Sequence, residues 1–98
     1  MIQPDFIAKV RLFDVSEGGR KGPTQSTFFG CPLLFNGALY DCRMLLDEVG
    51  AIAPGDETEV PIKMLDWDAV RTLLRDGAEF EMWESRVIGT GKISKLLR

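Results

Sequence analysis

Apolar and polar residues alternate with a period of two along most of the chain, and turn residues punctuate them at short intervals. In residues 6–15, Ala8, Val10 and Leu12 alternate with Lys9, Arg11 and Phe13, the pattern of a half-buried strand. Residues 16–23 hold three glycines and a proline and read as a loop. Residues 28–35 form a second strand, rich in Phe and Leu but interrupted by Gly30 and Pro32. Proline cannot donate to a ladder, so this strand lies at an edge or carries a bulge. Asn36-Gly37 is a hairpin signal, and residues 38–46 make the returning strand.

Pro54-Gly55-Asp56 is a turn, after which Val60, Ile62 and Met64 share one face of a fourth strand. Asp66 can cap a short helix over residues 67–74, where Trp67, Val70, Leu73 and Leu74 make one stripe and Gly77 stops it. Ala78, Phe80 and Met82 alternate with Glu79, Glu81 and Trp83 in a fifth strand. Residues 87–97 are the sixth, where Gly89 and Gly91 mark a bulge, a bend or close backbone approach. Six short strands with one helical turn imply an all-β fold. The expected architecture is a six-stranded closed antiparallel β-barrel, because closure removes free edges that a short chain cannot cover.

The 98 residues suffice for one domain, residues 1–98, with a modest core. No apolar run is long enough for a membrane helix, and the first residues lack a basic-then-apolar leader pattern. A cytoplasmic chain without a membrane contact is expected. Histidine is absent, which excludes an imidazole base, ligand or pH switch. The net charge of −3 is uneven. Residues 1–46 carry five basic and four acidic side chains, residues 47–84 three and eleven, and residues 85–98 four basic and none acidic. The basic last strand suits either a polyanion or a solvated face paired with the acidic stretch beside it.

Two cysteines without histidine cannot close a structural zinc site, so no metal is expected. A two-residue loop at Asn36-Gly37 would set Cys31 directly opposite Cys42, within reach of a disulfide. Two half-buried thiols are the preferred reading. Enzyme signatures are sparse. No Walker-type glycine loop is present, so no nucleotide or other cofactor is expected. Gly18-Gly19-Arg20-Lys21 and Gly89-Thr90-Gly91-Lys92 place glycine beside a cation, a weak phosphate signal. The carboxylate pairs Asp66/Asp68 and Glu79/Glu81 fit solvent faces, and no catalytic residue is assigned. Trp67 fits the helix stripe. Trp83 lies opposite the Phe80 and Met82 face, which makes it a candidate interface anchor.

The order of these motifs resembles the C-terminal (third) β-barrel domain of elongation factor Tu along nearly the whole chain. Residues 6–13 run into Glu17-Gly18-Gly19-Arg20, similar to that family's E-G-G-R loop. Phe28-Phe29-Gly30-Cys31-Pro32 resembles the stretch leading to its R-P strand, with Cys31 in place of the arginine. Pro54-Gly55-Asp56 resembles its P-G-D turn, and Asp76-Gly77-Ala78-Glu79-Phe80 its D-G-L-R-F. Arg86-Val87-Ile88-Gly89-Thr90-Gly91-Lys92-Ile93 resembles R-T-V-G-A-G-V-V. Glu84-Ser85-Arg86 stands where the family has G-G-R, and residues 66–75 are slightly longer than their counterpart.

The resemblance implies a stand-alone barrel without the GTPase domain and its switch. In the family this domain helps hold the T-stem of aminoacyl-tRNA and contacts the GTPase domain and the exchange factor. Carried over by position, the binding candidates are Gly18, Gly19, Arg20, Gly89 and Gly91, with Arg86 nearby. The expectation is a non-enzymatic module that engages a protein partner, a component of translation by resemblance. The alternative is an accessory tRNA-binding protein using Arg20, Lys21, Arg86 and Lys92. Two or three cations beside an acidic stretch would hold RNA weakly at physiological salt.

Overall fold

The computed structural model describes residues 2–98. Six strands close into an antiparallel barrel: β1 (Phe6–Leu12), β2 (Phe28–Phe35), β3 (Ala38–Leu45), β4 (Glu57–Met64), β5 (Glu79–Trp83) and β6 (Val87–Leu96). The order around the wall is β1-β4-β3-β2-β5-β6, with β6 returning to β1. One short helix, α1 (Trp67–Val70), continues into a 3-10 turn over Arg71–Leu73. The Asp66 carboxylate caps α1 by accepting from the Ala69 amide at 3.3 Å. No helix is long and apolar enough to cross a membrane among the described residues.

Period-two alternation sorts the side chains. Phe6, Ala8, Val10 and Leu12 of β1 point inward and are fully buried, as are Leu33, Met44, Val60, Ile62 and Met82. Lys9 and Arg11 take the outer face, level with Glu59 and Glu57 of β4. Strand β1 ends at Leu12, sooner than the alternation suggests. Asp14 there turns the chain into a 3-10 helix over Val15–Glu17, accepting from the Glu17 amide. The long loop after β1, the β3–β4 loop and the β5–β6 turn gather at one end of the barrel. The β2–β3 hairpin, α1 and both chain ends gather at the other.

Two local pairings explain where proline is tolerated. Strand β2 is hydrogen-bonded to β3 along its whole length, but to β5 only at Leu33 and Leu34. Pro32 therefore sits where β2 is locally an edge, so its missing N–H breaks no ladder. The hairpin register places Cys31 directly opposite Cys42. Both thiols are free and buried, and Cys42 Sγ donates to the Cys31 carbonyl at 3.2 Å. The neighbouring Cys31 thiol and burial push the Cys42 thiol well above its ordinary range.

Closure depends on the two glycines of β6. Both lie on its inner face, opposite Leu12 and Val10 of β1 and Met82 and Phe80 of β5. A Cβ on Gly91 would stand 2.3 Å from Cζ of Phe80, and one on Gly89 would stand 2.5 Å from the Arg11 carbonyl oxygen. The Phe80 ring thus occupies the space a Gly91 side chain would need. It meets Phe35 at 5.4 Å and Phe6 at 6.3 Å between centroids. At the far end, the fully buried Asp5 accepts from the Met64 amide at 2.8 Å and from Arg98 at 2.9 Å. Arg98 also lies over the Trp67 ring at 4.1 Å, so the buried carboxylate fixes the last residue against α1.

Gly91→Ala is expected to destabilise the fold by about 1–3 kcal/mol through overpacking against Phe80. Adding Phe80→Leu should recover part of that loss. Gly30→Ala, whose Cβ would meet nothing closer than 3.8 Å, should change stability by less than about 0.5 kcal/mol. Urea unfolding of the wild type and the three variants checks this.

Candidate functional site

The loop end of the barrel brings Gly18, Gly19, Arg20 and Arg86 together. Two arginines from opposite sides lock the long loop to the β5–β6 turn. Arg20 Nη1 donates to both carboxylate oxygens of Glu84 at 2.6 Å. Its Nε donates to the Gly22 carbonyl at 3.3 Å and its Nη2 to the Pro23 carbonyl at 3.2 Å. The guanidinium also covers the Phe29 ring, 5.0 Å from its centroid. Arg86 reaches back the other way, donating from Nε to the Gly18 carbonyl at 2.7 Å and from Nη2 to the Gly19 carbonyl at 2.9 Å. The turn between them is closed by the Glu84 amide on the Arg86 carbonyl at 2.8 Å.

This geometry sets what the arginines can do. A guanidinium has five donors, and Arg20 directs all three of its nitrogens to groups within the chain. Arg86 is exposed and keeps only Nη1 without such a bond among the described residues. Glu84, the departure from the resembling motif, is the residue that neutralises Arg20. Gly19 is buried, and a Cβ there would run into the Phe13 carbonyl, so its smallness serves loop packing. Gly89 and Gly91 face inward and serve barrel closure. Lys21 and Lys92 are exposed and form no ion pair among the described residues.

Next to this clasp, the start of the loop is held by a capping box. The Glu17 amide donates to Asp14 Oδ1 and the Asp14 amide to Glu17 Oε1, each at 3.0 Å. Arg11 Nη2 donates to both Glu17 oxygens at 2.6 and 2.8 Å. The Arg11 bond holds the Glu17 carboxyl below the ordinary range, and the Ser16 hydroxyl does the same for Asp14.

A depression of about 850 Å³ crosses the outer wall over β1, β6 and β5. Lys9, Arg11 and Lys92 line it together with Glu57, Glu79 and Glu81, so its charges balance. Gly91 lies in its floor. The carboxylates Glu79 and Glu81 point outward beside Lys92 and Thr90. Among the described residues no group of three or more acidic or cysteine side chains is placed to hold a metal.

The wall on the other side differs. The outer face of β2 presents Phe28, Gly30, Pro32 and Leu34, level with Leu45, Arg43, Asp41 and Leu39 of β3. Phe28 and Leu39 are 40% and 47% exposed. Exposed Leu65 is pinned beside Asp41 by its amide on the Asp41 carbonyl at 3.1 Å. Trp83 is half-buried, one step beyond the Leu33–Met82 pairing and so level with Pro32. Motif reading finds Trp83 but misses Phe28, Leu34, Leu39 and Asp41. The available signal is that residues 28–35 contain no polar side chain, although alternate members of that strand must face outward.

Arg20→Ala should destabilise the fold by about 1–3 kcal/mol, since it removes a bidentate ion pair and carbonyl bonds together. In a double-mutant cycle with Glu84→Ala, denaturant unfolding should give a coupling of about 0.5–1 kcal/mol. The capping box makes a pH statement as well. Because Asp14 and Glu17 have lowered folded values, their contribution is present above the ordinary carboxylate range, about 4. It is lost as pH falls through the lower folded values. Amide resonances of residues 17–19 should shift over that acid window. Arg11→Ala should move the Glu17 midpoint upward.

A scan against protein-family models finds no match to this chain, and a search of curated proteins finds none either.

Proposed function

We propose that the chain is a non-enzymatic module that binds another protein through the outer face of β2 and β3. One observation carries this reading. Strand β2 is apolar on both faces, the pattern of a strand covered on both sides, yet among the described residues its outer side chains are exposed at Phe28 and only half-buried at Pro32 and Leu34. Apolar side chains beside a half-buried tryptophan, with Asp41 and Arg43 within the same face, have the anatomy of a protein interface. The resemblance to a translation-factor barrel supports a translation component as a partner class. A cytoplasmic setting is part of the same reading.

The second reading is tRNA binding at the loop end, and Lys21, Lys92 and the free Nη1 of Arg86 favour it. The commitment of Arg20 to Glu84 counts against it, because a phosphate would have to displace a bidentate carboxylate. Affinity capture from lysate with protein and RNA measured separately, joined to a direct tRNA titration at low salt, tests both readings. The expected result is a retained protein that Leu39→Glu loses, with no saturable tRNA binding. Steeply salt-dependent tRNA binding that weakens in Arg86→Ala, with Leu39→Glu behaving as wild type, would establish the second reading instead.

A further inference from the structure

The register of the β2–β3 hairpin gives its outer face an internal symmetry. Four outward rows cross the two strands: Phe28 with Leu45, Gly30 with Arg43, Pro32 with Asp41, and Leu34 with Leu39. The inward row of Cys31 with Cys42 lies at their centre. The two end rows are therefore wholly apolar. Each inner row pairs a small or cyclic residue with one charge, and the two charges are opposite.

Neither Asp41 nor Arg43 forms an ion pair among the described residues. Arg43 instead lies over the Phe28 ring at 5.3 Å, inside the same face. Asp41 stands among Pro32, Leu39 and Leu65, so an apolar contact there would desolvate it. A carboxylate in that position requires a cation from whatever covers the face.

We infer that the occupant is a second copy of this chain, docked about a two-fold axis that runs across the strands at the level of the Cys31–Cys42 row. This rests on reading the β2–β3 face as a protein-binding face, and it specifies the partner. The rotation reverses the strand direction and keeps β2 over β2 and β3 over β3. Leu34 of one copy then meets Phe28 of the other, and Leu39 meets Leu45. Pro32 meets Gly30, where little side-chain volume lets the faces approach. Asp41 faces Arg43 of the second copy, and Arg43 faces Asp41, so each unpaired charge gains one opposite charge and the pair forms twice. A two-fold axis along the strands, midway between them, would instead set Asp41 over Pro32 and Arg43 over Gly30, which buries both charges without a partner. Isologous contacts of this kind are self-complementary and close at two subunits.

The face is small. Eight residues at about 3.4 Å and two strands about 4.8 Å apart, with their flanks, cover roughly 400 Å² per copy. A standard interface buries about 800 Å² per partner, so association must depend on concentration.

Sedimentation velocity from low micromolar to millimolar protein tests the pairing. The weight-average mass should rise from that of one chain towards that of two. Asp41→Arg and Arg43→Asp should each weaken association by about tenfold or more, and the double swap should return it to within about threefold of wild type. Recovery in the double swap also shows that the single variants failed at the interface and not in folding. Circular dichroism of each single variant gives a second check. A wild-type chain that stays monomeric at the highest concentration overturns the pairing. So does self-association that the two single swaps leave unchanged or that the double swap fails to restore. The monomer result leaves the protein-binding reading standing, because that reading is judged by Leu39→Glu in the lysate capture.

Discussion

The barrel depends on one contact, the Phe80 ring seated on the bare backbone of Gly91. Strand β6 must bond to β1 on one side and β5 on the other, and closing six strands leaves little room inside. A side chain at position 91 would claim the volume that Phe80 fills, and Phe80 in turn meets Phe6 and Phe35 across the interior. Two glycines on the inner face of β6 thus exchange their own packing for that of larger residues on β5. The aromatic cluster and the closed hydrogen-bond ladder follow from that exchange.

The same economy governs the loop end. A long loop with three glycines is costly to order, and the two arginines order it from both sides. Arg20 binds the turn through Glu84, and Arg86 binds the loop through the Gly18 and Gly19 carbonyls. Glycine beside arginine, which in sequence suggests a phosphate cradle, is here a clasp whose donors point into the chain. Chemistry is left unmet instead on the outer face of β2 and β3, where Phe28 and Leu39 are exposed and neither Asp41 nor Arg43 forms an ion pair among the described residues.

Much of the fold was legible in the chain. Alternation located β1, β4 and β5, apolar content and turn residues delimited β2, β3 and β6, and Asn36-Gly37 fixed the hairpin register well enough to set Cys31 opposite Cys42. Period-two patterns work because each strand has one covered face. The end of β1 and the length of α1 were less legible, since the Asp14 and Asp66 caps act through local hydrogen bonds that periodicity does not report. The site was harder. Residue type alone cannot show that Glu84 neutralises Arg20 from 64 positions away. Nor can it show that Gly89 and Gly91 face inward. The apolar outer face of β2 was written in residues 28–35, but only the register shows Phe28, Pro32 and Leu34 sharing the outer side with Asp41 and Arg43.

Recognition at the β2–β3 face and structure at the arginine clasp are separated by a single NMR observation. Amide spectra of the labelled chain, with the arginine Nε–H signals, can be followed over a dilution series and then with added tRNA. The expected result is concentration-dependent shifts at residues 34, 39, 41 and 43, with Nε–H of Arg20 and Arg86 protected and unmoved throughout. An invariant β2–β3 face, with Arg20 and Arg86 signals shifting as tRNA is added, would contradict it.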